Sequence, residues 1–223
     1  MKRVLYIDDS RDYVRAALTE DGRLCEIHSE TNQTSAQAES LYYGRIQSIR
    51  PSIGAAFVDI GDALNAFLPL EKGLNLRCGD MLIVQGVAKQ ATETKGLRVS
   101  TKLNIPGKWL VLVPNEEGVH ISKKVKDPQI RKMLQVIGER ICPPDCGLII
   151  RTASEEVTEE LLREEAESLH TQWQGIAGRA AGMRKPGLIH QRERLHMRLI
   201  RDLRDLDSIV TNSEQYYRAL INE

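Results

Sequence analysis

Between Leu41 and Lys102 there is no room for a helix. Five short apolar segments, YYGRIQSI, GAAFVDI, AFLPL, MLIVQGVA and LRVSTKL, are cut apart by Pro51, Gly61, Gly73, Gly79-Asp80 and Lys95-Gly96. Such punctuation falls where strands turn. Five strands in about 60 residues make a small closed barrel of the OB-fold size. Everything else in the chain has to be arranged around that unit.

Upstream, residues 1–30 also read as strands. Val4 and Tyr6, then Val14, Ala16 and Leu18, alternate with polar neighbours, and Asp21-Gly22 signals a hairpin leading to Leu24, Glu26 and His28. Residues 31–40, TNQTSAQAES, suit a linker. Downstream the texture becomes mixed. WLVLV (109–113) and GLIIRTA (147–153) read as buried strands. A helix is expected over Pro128–Gly138, with Ile130, Met133, Leu134 and Ile137 on one face. A longer helix carries Val157, Leu161, Leu162, Ala166, Leu169, Trp173 and Ile176, with Glu155 and Glu156 at its positive end. LIHQ, a helix using Leu195, Leu199, Leu203 and Leu206, the strand SIVT and a helix begun by Ser213 follow. The expected class is α+β, and the last residues read as an unfinished alternation of strand and helix.

Lys+Arg and Asp+Glu both number 31, so a polyanion would have to meet a local basic patch rather than a basic protein. No apolar run reaches the ~18–20 residues that a spanning helix needs. Met1-Lys2-Arg3 runs straight into VLYID without a leader. A cytoplasmic protein with reduced thiols is the expectation. Cys142 and Cys146, in CPPDC, have no second pair at finger spacing, and two ordinary thiols beside a Pro-Pro turn are a better account than zinc. No metal or other cofactor is expected in this chain.

Two groups of residues carry candidate chemistry. Phe57 and Phe67 are the only phenylalanines and sit in one stretch, GAAFVDIGDALNAFLPL. On an exposed barrel face they would stack on nucleobases, with Lys95 and Arg98 supplying charge for the backbone. Read alone, they are more often core residues. The second group is Gly107, Val111, Arg151 and Thr152. Arg151 ends an apolar strand and needs a partner, which an anion such as phosphate would satisfy through the guanidinium fork beside a hydroxyl. An internal salt bridge to one of many glutamates serves equally well and is the commoner arrangement.

The run YYGRIQSIRPSIGAAFVDIGDALNAFLPL, then KGLRVSTKLNIPGKWLVLVPN, then GLIIRTA and LIHQ, resembles in order and spacing the N-terminal half of the ribonuclease E/G family. The resemblance implies an S1-type barrel (35–105) and a mixed α/β 5′-sensor region (106–194). Both would be inserted into an incomplete ribonuclease-H-like subdomain made of residues 1–34 and 195–223. It implies that Phe57 and Phe67 stack on single-stranded RNA and that Lys95 contacts it. Arg151 and Thr152, with backbone at Gly107 and Val111, would grip a 5′-monophosphate. The family cuts RNA with Mg²⁺ in a domain this chain does not reach, so no catalytic residues are expected here, and its oligomers make a homo-oligomer the expected assembly. Asp205 and Asp207 match no catalytic motif and read as a solvated helix face. The loop after FLPL is short, and Asn65-Ala66 stands where His-Gly often precedes the second phenylalanine.

Two other readings compete. A stand-alone RNA-binding regulator would keep the fold without a nuclease; the abrupt ending favours a shortened piece of a longer protein instead. VLYIDDS, Asp59 and Lys108 also resemble the acidic pair, phosphoacceptor and lysine of a phosphoreceiver domain. That fold needs a helix after its first strand and βα alternation throughout, which the Asp21-Gly22 hairpin and the all-β middle oppose.

Overall fold

The computed structural model describes residues 1–31, 38–71, 74–87, 96–203 and 205–221. Strands β1 (Arg3–Asp9), β2 (Tyr13–Glu20) and β3 (Arg23–Thr31) come first. Next are β4 (Leu41–Arg50), β5 (Ala55–Asp59), β6 (Ala66–Pro69), β7 (Met81–Gly86) and β8 (Val99–Ser100). Then follow β9 (Ile105–Pro106), β10 (Leu110–Pro114), β11 (Gly118–Ile121), helix α1 (Pro128–Ile141), β12 (Cys146–Ile150) and helix α2 (Glu159–Gly182). Strand β13 (Gly187–His190), helix α3 (Leu195–Asp202), β14 (Ser208–Thr211) and α4 (Glu214–Ile221) complete the order. The class is mixed α+β. The chain divides into two compact units, one made of residues 1–35 with 193–223 and the other of residues 36–192.

The first unit is a sheet of order β14-β1-β2-β3, with β14 parallel to β1 and the rest an antiparallel meander. Asp21 (φ 48°) and Gly22 (φ 77°) both take left-handed backbone, the geometry that a tight two-residue hairpin requires. The side-chain alternation on β1 differs from the expected one. Leu5 and Ile7 enter the core with Val14 and Ala16, against Leu195, Leu199 and Tyr216, while Tyr6 is 45% exposed. β1 directly precedes the antiparallel β2, with no helix between, so the receiver topology does not form. Asp207 is not on a helix: it lies between α3 and β14, where its Oδ2 accepts the Arg3 N–H at 2.6 Å.

His196 is only 3% exposed and stacks on Tyr216 with ring centroids 3.7 Å apart. Burial and the nearby Arg194 hold its pKa below the ordinary histidine value, and Asp9 opposes them only in part. The unfolded chain therefore binds this proton more readily than the folded one. Stability from the neutral ring is fully present above the unfolded pKa, about 6.5, and is lost as pH falls below it toward the folded value. Urea midpoints measured across pH 5–8 should fall on the acid side. His196→Gln should flatten that component; an unchanged profile would remove His196 from the account.

In the second unit, the sheet β6-β5-β4-β7-β8 curls back on itself. Phe67 N–H donates to the Leu97 carbonyl at 2.8 Å, and Phe67 bridges to Arg98, which ties β6 to the approach of β8 and nearly closes a barrel. The register shifts between Ile46 and Ser48 on β4, which pairs with β5 along its second half and with β7 along its first. Gly44 is needed at that crossing, since a Cβ there would lie 2.5 Å from Val58 Cγ1. β13, far along the chain, also pairs with β4, at Leu41–Tyr43. The interior is filled by Tyr42, Ile46, Ala56, Val58, Ile60, Ala66, Leu68, Val84, Leu97 and Val99. At about 25 cal/mol per Å² of apolar surface, such burial is the main driving force for closure.

The rest of this unit is a sheet of order β11-β12-β10-β9 with α1 and α2 packed on it. Strand β11, exposed at alternate positions, was not apparent in the sequence. Asp127 caps α1 by accepting the Gln129 and Ile130 amides, with Pro128 in the first turn. The helix buries Leu134, Ile137 and Ile141, whereas Met133 is 47% exposed. Thr158 caps α2, so Glu159 and Glu160, rather than Glu155 and Glu156, occupy its first turn. Among the described residues, no helix is long and apolar enough to cross a membrane.

Candidate functional site

On β5, Ala56 and Val58 point into the barrel, so the period of two sends Phe57 to the other face. On β6, Ala66 and Leu68 are buried, and Phe67 is sent outward in the same way. Phe57 and Phe67 are directly opposite in register, their rings 6.1 Å apart at 79°. Both are half-buried, and neither belongs to the barrel core. Arg98, between the buried Leu97 and Val99, is exposed just before β8, bridged to Phe67. Arg45 and Gln47 both reach Asp59 Oδ2, at 3.5 and 3.2 Å. That engagement leaves Asp59 on the same outward face as Phe57. The outward face thus carries an aromatic pair with exposed Arg98 beside Phe67 and an Arg45–Asp59 ion pair farther along β5. Flat rings joined by an anionic backbone could meet it at the Arg98 side. Lys95 lies outside the described residues.

The second group assembles at one end of the β10–β12 pair. Gly107 and Leu110 bracket a two-residue turn of Lys108 and Trp109 between β9 and β10. Val111 follows, opposite Pro106 on one side and Ile149 on the other. Arg151 leaves β12 beside this turn: its N–H donates to the Trp109 carbonyl at 2.8 Å, and its Nη1 donates to the Gly107 carbonyl at 2.7 Å. Thr152 starts the 3₁₀ turn that follows. The structure therefore brings Gly107, Val111, Arg151 and Thr152 together, with both Arg151 and Thr152 half-buried.

Two residues in this neighbourhood escaped the sequence reading. Ser154, fully buried, donates its hydroxyl to the Trp109 carbonyl at 2.8 Å. Glu165, on α2, accepts the Lys108 amide on Oε1 (2.7 Å) and the Trp109 and Leu110 amides on Oε2 (2.9 and 2.7 Å). A signal for Glu165 existed in the spacing. It stands three residues after Leu162 and four before Leu169, both buried, so a charge there faces inward and needs partners. The Cys142 thiol lies 3.2 Å from the Cys146 carbonyl oxygen, and burial pushes both thiol pKa values up. Among the described residues, no three His, Cys, Asp or Glu side chains gather to hold a metal ion.

The sequence model described as Ribonuclease E/G family matches residues 104–222. Ribonuclease E of Nostoc sp. is 32% identical over 192 residues, covering 79% of this chain and 28% of that protein. Ribonuclease G of Haemophilus influenzae is 31% identical over 209 residues, 84% of this chain and 42% of its own length. Ribonuclease G of Escherichia coli is 29% identical over 243 residues, taking in 99% of this chain and 50% of the relative. The family match begins after the barrel, whereas the alignment with the Escherichia coli protein takes the barrel in. The chain spans half or less of the length of these three relatives.

Proposed function

This chain belongs to the ribonuclease E/G family, and from that we infer that its barrel binds single-stranded RNA whose 5′-monophosphate end is held at Arg151. In this reading residues 35–105 are an S1-type barrel of the OB-fold and residues 106–194 are the 5′-sensor region. Residues 1–34 and 195–223 form a ribonuclease-H-like subdomain. Phe57 and Phe67 stack on successive bases, Arg98 and Lys95 meet the backbone, and Arg151 with Thr152, Gly107 and Val111 takes the terminal phosphate. A cytoplasmic role in RNA processing and a homo-oligomeric assembly belong to the same proposal. Cleavage is assigned to the Mg²⁺-dependent part of the family's longer members.

One observation carries the reading: the two phenylalanines lie on strands whose opposite face fills the barrel, with their rings turned out beside exposed Arg98. Phenylalanine is costly to leave wet without a partner surface, and nucleobases tolerate such rings regardless of sequence. The experiment is a titration of the protein with one short unstructured RNA carrying either a 5′-monophosphate or a 5′-hydroxyl, at two salt concentrations, with a cleavage control. Binding is expected to prefer the monophosphate. Arg151→Ala should remove that preference, a loss of roughly tenfold or more for a charge-assisted contact, while leaving hydroxyl-ended RNA bound as before. Equal affinity of the native chain for both ends would end the phosphate assignment without touching the stacking one.

A further inference from the structure

Glu165 stands apart from the other glutamates of α2 because its carboxylate is enclosed by backbone. Three consecutive amides, those of Lys108, Trp109 and Leu110, converge on its two oxygens at 2.7–2.9 Å. Successive N–H groups aimed at one anion form a nest, and hydrogen bonds to a charged acceptor are the strong kind. Gly107 permits the approach: a Cβ at that position would lie 2.7 Å from Glu165 Cδ. The need for glycine here thus has an internal cause.

The carbonyls of the same turn face the other way and are claimed by the strand end opposite. Gly107 O takes Arg151 Nη1 at 2.7 Å, and Trp109 O takes both Arg151 N–H and Ser154 Oγ at 2.8 Å. Each peptide plane is rigid. Fixing the N–H of Lys108 therefore fixes the direction of the Gly107 carbonyl, because they belong to one peptide. That carbonyl accepts a hydrogen bond from the Arg151 guanidinium. The path from Glu165 to Arg151 is two hydrogen bonds and one peptide long.

We infer that Glu165 is the positioning residue of the 5′-end site: by clamping the Lys108–Leu110 amides it aims the Gly107 carbonyl and, through it, the Arg151 guanidinium toward the RNA terminus. The inference rests on the phosphate reading above and adds to it a residue that touches no RNA. Its role is orientation, so its loss should move discrimination between RNA ends rather than RNA affinity in general.

Glu165→Gln tests it with little change of shape. An amide offers one acceptor oxygen, and its NH₂ would confront an N–H of the turn. In the folded variant, amide exchange of the peptide spanning residues 105–112 should quicken. The preference for 5′-monophosphate over 5′-hydroxyl RNA should drop by about tenfold, as expected for a misaligned charge-assisted contact. Affinity for the hydroxyl-ended RNA should change less than twofold. Glu165→Asp keeps the charge but draws it back by one methylene, and should lose the preference likewise. It also serves as the test if the glutamine variant fails to fold. A folded variant that keeps the native preference overturns the positioning role and leaves the phosphate reading standing. A native protein with no preference brings down both, and faster exchange in the variant would then mark Glu165 as a brace for the turn alone.

Discussion

Phe57→Ala weakens binding of a single-stranded RNA by ~1–3 kcal/mol, the usual worth of one base stacked on one ring. This is the expected result because the ring contributes little to the barrel itself. Ala56 and Val58 supply the inward surface of β5, and Phe57 is absent from the core they join. The stability cost should stay near the ~0.5–1.5 kcal/mol of the lost edge-to-face contact, so the variant remains folded while affinity falls. Phe67→Ala should behave in the same way. The double variant should depart from additivity, since the two rings meet edge to face at 6.1 Å and removing one frees the other to reorient. Anisotropy titrations at two salt concentrations separate this effect from charge. Loss of a stack lowers affinity equally at both, whereas loss of a phosphate contact flattens the salt slope. A folded Phe57→Ala protein that binds RNA as tightly as the native chain would take the aromatic face out of the argument.

Leu148→Ala should destabilise the second unit severely, by ~2–5 kcal/mol. Leu148 is fully buried on β12, the strand between β10 and β11, opposite Leu112 on one side and Val119 on the other. Helix α1 cannot sink to fill the void. It already sits so close that a Cβ on Gly138 would be 2.6 Å from Val119 Cγ1 and 2.8 Å from Ile150 Cδ1. The control is Leu161→Ala, the same truncation at a position 42% exposed, which should stay within about 0.5 kcal/mol of native. Urea midpoints of the two variants decide the matter, and equal effects would mean that the burial pattern of the second unit has been misjudged.

Local features of the fold were legible because local chemistry dictates them. Asp21-Gly22 reads as a tight turn from residue type alone, and Pro128 just after an acidic cap favours a helix start. Elements decided by distant partners were not legible. Tyr6 reads as apolar, but it lies one position off the inward parity set by Leu5 and Ile7. Met133 and Leu161 keep helical spacing yet fall at the margins of their buried stripes. β11 has an exposed, half-polar pattern that becomes a strand only because β12 lies alongside. In the candidate site, Arg151 stands out because a charge ending an apolar strand needs a partner. One nearby glutamate, Glu165, bonds the turn's amides. A carboxylate held by backbone leaves no trace in residue type, and for Glu165 the only local signal is its spacing from the buried Leu162 and Leu169. Lys95 remains an expectation from resemblance.

The pairing of β13 with β4 has a consequence for engineering. Leu41 lies opposite His190, and the Arg192 N–H donates to Ser40 Oγ at 3.0 Å. The polypeptide thus enters and leaves the second unit through one doorway, about the width of neighbouring strands, ~4.8 Å. A cassette with adjoining ends can be spliced into a surface loop of an unrelated carrier without stretching either junction.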